Sequence, residues 1–201
     1  MKRMLGLVAA AAALTSSASA TVISFDRLTS NSSVNVASQF AADVTDLGGG
    51  LVNFRFTNTS VINSSITDIY FDGDIFADIT NLSSTAGVKY GEGAAPANLP
   101  SGNNMGFDAD LAADSDNPTV RNGVNTSTEW LDIVVSLENG FSYGQLLSGL
   151  SSGSYAIGLH VQSIGPDANS DSFYSRVIPA PGAALLGLIG AGTLAAARRR
   201  G

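Results

Sequence analysis

Three stretches of the chain alternate apolar and polar residues with a period of two. In Leu51 to Asn58, the apolar Val52, Phe54 and Phe56 interleave with Asn53, Arg55 and Thr57. In Trp130 to Leu137 one face collects Leu131, Ile133, Val135 and Leu137, and in Tyr155 to Val161 it collects Tyr155, Ile157, Leu159 and Val161. Successive side chains of a strand point to opposite faces, so this pattern turns one face to a core and the other to water. Fainter strand signals lie at Val22 to Phe25, Val34 to Val44, Ile66 to Phe71, Ile75 to Ile79 and Phe173 to Val177. Gly48-Gly49-Gly50 and Asp72-Gly73-Asp74 fall between strands and predict hairpins. About eight short strands with turns at close spacing predict an all-β fold, an antiparallel sandwich or jelly roll with half-exposed sheets.

Two segments break that pattern. Tyr143 to Leu150 has helical spacing, with Leu146, Leu147 and Leu150 on one side. Gly91 to Asn125 is rich in Gly, Ala, Asn, Asp and Pro and reads as a long surface excursion. No internal repeat stands out.

The two ends follow a different logic. Met1-Lys2-Arg3 is basic, Met4 to Leu14 is an unbroken apolar run, and Ala18-Ser19-Ala20 is a small-x-small site. These are the three parts of a secretory signal, with signal peptidase expected to cut after Ala20. An apolar run of eleven residues makes a helix of only about 16 Å, against a hydrocarbon core of roughly 30 Å, so a membrane span is a poor alternative. At the other end, Ile178 to Ala197 contains no charged residue and would reach about 30 Å as a helix, a transmembrane length. Arg198, Arg199 and Arg200 follow it and would stay on the cytoplasmic side, leaving the preceding domain outside. The expected organisation is a signal peptide over 1–20, a β-rich extracellular domain over 21–176 and a membrane tail over 177–201.

Composition sharpens this picture. Of the chain's ten basic residues, Lys2, Arg3 and the three terminal arginines belong to the ends, so the middle holds five against all 17 acidic residues. Such a domain repels phosphate backbones, which argues against nucleic acid as a partner. There is no cysteine, which removes disulfides, thiolate nucleophiles and thiolate metal sites and leaves packing to hold the fold.

The tail resembles a known sorting signal. Pro179-Ala180-Pro181, an apolar stretch and the Arg198 to Arg200 cluster are similar to the PEP-CTERM domain, although the usual glutamate between the prolines is alanine here. The resemblance covers Val177 to Gly201. It implies export across the inner membrane, processing by an exosortase-like transpeptidase that recognises Pro179, Ala180 and Pro181, retention through Arg198, Arg199 and Arg200, and association with surface polysaccharide. A plain, uncleaved membrane anchor is the alternative. Phe54-Arg55-Phe56-Thr57-Asn58 and Ser65 to Phe71 also resemble extracellular domains that precede such tails.

Catalytic chemistry has little to build on, and the expectation is a protein that is not an enzyme. A Ser-His-Asp set would need His160, the one histidine, whose alternation puts it on the face opposite Ile157 and Leu159, toward solvent. Asp108, Asp110, Asp114 and Asp116 lie close together and offer oxygen ligands of the kind calcium takes, with Asp72, Asp74 and Asp78 as a second group. A calcium-dependent carbohydrate-binding module is therefore a second reading. Glu129, Asp132 and Glu138 are near enough in sequence to raise a paired-carboxylate hydrolase as a third, and Trp130 as a core residue or a sugar platform. Asn31, Asn58, Asn63, Asn81 and Asn125 each begin an Asn-x-Ser/Thr triplet.

Overall fold

The computed structural model describes residues 21–178. Ten strands, β1 Thr21–Arg27, β2 Phe40–Gly48, β3 Leu51–Asn58, β4 Ser65–Asp72, β5 Phe76–Ser84, β6 Tyr90–Glu92, β7 Leu111–Ser115, β8 Trp130–Leu137, β9 Ala156–Ile164 and β10 Asn169–Ile178, join in one antiparallel sheet. Their order across it is β5-β8-β3-β2-β1-β10-β9-β4-β7-β6. The all-β, antiparallel expectation holds. The last strand runs two residues past the domain boundary expected at 176. The signal residues Ala18 and Ala20, and the tail residues Pro179, Ala180, Pro181, Arg198, Arg199 and Arg200, lie outside the described residues, and so does the expected transmembrane stretch. Among the described residues no helix is long and apolar enough to cross a membrane.

The sheet curls until its two halves share one core. Phe54 of β3 and Phe71 of β4 stand far apart in strand order, yet their rings meet edge to face at 5.1 Å. Phe76 of β5 closes on Phe71 at 5.2 Å, and Phe40 packs on Phe173 at 5.1 Å. Aromatic pairs in this geometry add roughly 0.5–1.5 kcal/mol each beyond the area they bury. The alternating residues read from the sequence line this core: Val52, Phe54, Phe56, Leu131, Ile133, Val135, Ile157, Leu159 and Val161 are all buried.

The helix expected at Tyr143 is α2, Tyr143–Ser152, and it sits under one end of the core on Leu146 and Leu150. Its start is fixed by a capping box between Ser142 and Gln145, and its end by Gly153 in the left-handed region at φ 77°. Gly48-Gly49-Gly50 forms the expected β2–β3 hairpin.

Several expectations need correction. Asp72-Gly73-Asp74 is not a hairpin: β4 bonds to β7 and β9, β5 bonds to β8, and the chain crosses from one half of the sheet to the other. Gly73, at φ 141°, lets it do so, since a Cβ there would lie 2.3 Å from the Tyr155 ring. The segment Val34 to Val44 is not one strand; a turn of 3-10 helix at Ala37–Gln39 precedes β2. Gly91 to Asn125 is not a surface excursion. It supplies β7, a short helix α1 at Thr119–Asn122, and the side chains of Leu99 and Phe107, which pack on Tyr70 as a second core on the outer face of the sheet. That cover is why every β4 residue from Ser65 to Phe71 is buried, where a half-exposed strand was expected.

Candidate functional site

The outer face under this cover carries a row of polar side chains in lateral register. Asp114 of β7 pairs with Asp68 of β4, Asp68 pairs with His160 of β9, and His160 pairs with Ser172 of β10. Directly opposed residues on antiparallel strands project to the same side, so the register alone lines the four up. Asp68 is the hub. It is 2 % exposed, accepts the Thr67 hydroxyl at 2.8 Å and accepts His160 Nδ1–H at 2.8 Å.

Asp114 meets the same hub from the other side. Burial, the Asp68 charge and a hydrogen bond between the two carboxyls push Asp114 up to about 6. Two carboxylates in contact cannot both ionise cheaply, so Asp114 keeps its proton up to about pH 6. Asp114 also opens, together with Glu92 and Asp116, onto an acidic pocket of about 300 Å3 floored by Gly91 and Gly93. The arrangement can take up and release a proton in the mildly acidic range while Asp68 orients the His160 ring.

His160 is therefore not the solvent-side residue its alternation suggests. It does lie on the face away from the main core, but its side chain is only 13 % exposed and is bonded to Asp68. Beyond the ring is a cavity of about 40 Å3, walled by Pro100, Ser101, Asp171 and Ser172, with room for a water molecule. Ser172 stands opposite His160, but its hydroxyl is buried with no hydrogen-bond partner. Among the described residues no Ser–His bond completes a nucleophilic relay.

The acidic residues singled out in the sequence separate. Asp108 and Asp110 lie at the β4 end, where Asp110 accepts the Gly73 N–H at 2.8 Å. Burial first, and then the charges of Asp110 and Asp108, raise Asp72 beside them. Asp114 and Asp116 belong to the acidic pocket. The extended β7 intervenes, and four residues of strand span about 13 Å, so the four aspartates form two pairs. Asp74 and Asp78 are exposed, on the approach to β5 and on β5 itself, whereas Asp72 ends β4. Among the described residues no three His, Asp or Glu side chains converge as a metal cage.

The paired-carboxylate candidates are likewise engaged elsewhere. Glu129 accepts the N–H groups of Asn125 and Thr126 at 2.8 and 3.0 Å, and Asp132 takes a two-pronged bond from Arg55 at 2.8 and 2.7 Å. Glu138 is exposed just past the end of β8. Trp130 is half-buried, and the Arg55 guanidinium covers its ring at 4.3 Å, leaving that face closed to a sugar. Of the five Asn-x-Ser/Thr asparagines, Asn58 is buried and bonded to Ser64 and Val124, and the side-chain amides of Asn31 and Asn125 donate to backbone carbonyls. Asn63 and Asn81 are exposed.

Sequence reasoning did not find Asp68 with Asp114. Asp68 sits in a strongly apolar run, itself a signal of a buried charge, but its partner comes from a strand too weakly patterned to read. No protein-family model, curated protein or solved structure matches the chain.

Proposed function

We propose that the chain is an exported surface or extracellular-matrix protein, a sandwich-like β domain carried out by an amino-terminal signal, held in the membrane by its tail and processed there by an exosortase-like transpeptidase. In this reading the domain is not an enzyme, and its setting is the surface polysaccharide. The observation that supports it is the placing of the two ends of the described domain: β1, Thr21–Arg27, and β10, Asn169–Ile178, are neighbours with Val22 opposite Ile178, so the connections toward both expected signals leave from one place and the rest of the domain is free to face outward.

Packing carries the stability that disulfides supply in many exported domains. A buried network adds to it. Asp171, 1 % exposed, accepts from Arg27, the Thr29 hydroxyl and the N–H groups of Asn31 and Ser32, tying the segment after β1 onto β10.

Intact mass of the protein from membrane and medium fractions tests the reading, with the natural tail and with Pro179→Ala/Pro181→Ala. A mature form that begins at Thr21 and ends near Pro179 only when the prolines are present is the expected result. Retention of Gly201 in the membrane fraction of both would replace sorting with a simple anchor.

A further inference from the structure

The acidic pocket beside Asp114 has a counterpart of opposite character. A groove of about 480 Å3 opens between the segment containing Asn63 and Ser65, the turn of α1 with Val120 and Arg121, and the residues Asn125 and Ser163. Among the described residues no carboxylate lines it, in a chain whose acidic residues number 17. The distribution of positive charge singles it out further. Arg27 and Arg55 are neutralised by Asp171 and Asp132. Arg121 and Lys89 are exposed and form no ion pair among the described residues, and they are close to one another, since the Lys89 N–H donates to the Asn122 carbonyl at 2.9 Å. Arg121 thus lines the groove with no acidic partner among the described residues, and the Lys89 backbone lies close beside it.

The wall of the groove is built rather than loose. Ile66 and Val124 exchange backbone hydrogen bonds at 3.1 and 3.2 Å, Ser65 Oγ–H donates to the Val120 carbonyl at 2.9 Å, and Asn125 Nδ2 donates to the carbonyls of Val120 and Arg121 at 3.0 and 3.2 Å. Gly123 is pressed onto β4, and a Cβ there would come within 2.3 Å of the Ile66 carbonyl oxygen. Ser163 is held in the left-handed region at φ 56°, a conformation that costs a non-glycine residue about 1 kcal/mol or more and is over-represented at ligand sites. A wall fixed in advance leaves less ordering to be done on binding.

The lining also selects a ligand class. A guanidinium pairs with a carboxylate through two parallel hydrogen bonds, and serine hydroxyls and asparagine amides match the hydroxyls of a polyol. No aromatic ring lines the groove, which offers nothing to stack a flat base upon. We propose that this groove binds a hydroxyl-rich carboxylate ligand, the chemistry of a uronic-acid sugar unit, with Arg121 pairing with the carboxylate and the serine and asparagine side chains with the hydroxyls. This deepens the polysaccharide association above and rests on that reading for the source of the ligand, while the site itself stands on the groove.

Calorimetric titration of the full chain in detergent solution tests it. The probes are trigalacturonate, the uncharged galactose trisaccharide and inorganic phosphate, applied to the natural protein, Arg121→Gln and Lys89→Gln. Trigalacturonate is expected to bind, with at least tenfold lower affinity for the uncharged trisaccharide and for phosphate. Arg121→Gln is expected to weaken trigalacturonate by 10- to 100-fold, the loss of one charged hydrogen-bonded pair, and Lys89→Gln by two- to threefold. An unchanged melting temperature for Arg121→Gln separates lost recognition from lost fold. Absence of binding, equal binding of the uncharged sugar or of phosphate, or an Arg121→Gln variant that binds like the natural protein would overturn the proposal. The assay uses purified protein and is blind to sorting, so its failure and the failure of the fractionation experiment are separate results.

Discussion

The two halves of the sheet each hold an aspartate bonded to a nitrogen-bearing side chain on the neighbouring strand, in different surroundings. In the half formed by β5, β8, β3 and β2, the outer face is open, and Arg55–Asp132 spans neighbouring strands with the arginine side chain 44 % exposed. In the half formed by β10, β9, β4 and β7, the segment carrying Leu99 and Phe107 roofs the outer face, and His160–Asp68 is left 13 % and 3 % exposed. Water screens the first pair and scarcely reaches the second. The difference teaches that a covering segment from a distant part of the chain, rather than the identity of the paired residues, decides how much water reaches a cross-strand pair.

Substitutions can break that comparison at several strengths. The largest effect is expected in the covered half, where Asp171→Ala leaves Arg27 facing a buried gap and strands the donors of Thr29, Asn31 and Ser32; a loss of about 3–5 kcal/mol should be read from urea unfolding. Phe107→Ala takes the anchor out of the roof and should cost about 3 kcal/mol. It should also expose Asp68 and His160, seen as faster solvent exchange of the His160 ring proton by NMR.

A pH series sharpens the comparison further. The Asp114 carboxyl has a folded-state pKa near 6, above its unfolded value, so its stabilising contribution is fully present below about pH 4 and is lost as pH rises through 6. Between pH 4 and 7 the urea midpoint of the natural protein should therefore fall relative to that of Asp114→Asn, which lacks the titration. A constant difference between the two across that range would show that Asp114 does not keep its proton up to about pH 6. The smallest effect is reserved for the open half, where Asp132→Ala should cost about 1–2 kcal/mol, since the carboxylate is buried but its Arg55 partner can turn to water.

The same contrast explains what could be read from the sequence. β3, β8 and β9 were legible because one face meets the core and the other meets water or small residues, which stamps a period of two on the chain. β4 carries no such stamp, since Tyr70 and Asp68 on its outer face are covered by residues from a distant segment. The alternation gave His160 its correct face and the wrong surroundings for the same reason: a period reports direction, not what lies above. Asp72-Gly73-Asp74 announces a change of course without saying which strand receives the chain. β7 escaped notice because Leu111-Ala112-Ala113-Asp114-Ser115 has small side chains on both faces. The Asp68–Asp114 pair depends on that strand, so the sequence singles out Asp114 without the partner that shifts it.

The position of β10 has a mechanical consequence. It is an interior strand, laddered to β1 on one side and β9 on the other. A force applied to the chain at Ile178 acts along that strand, and withdrawing it lengthwise from a fixed domain means sliding two ladders at once. An edge strand would release one. A tether attached here, as the proposed function requires, would load the fold where tension is divided between two seams.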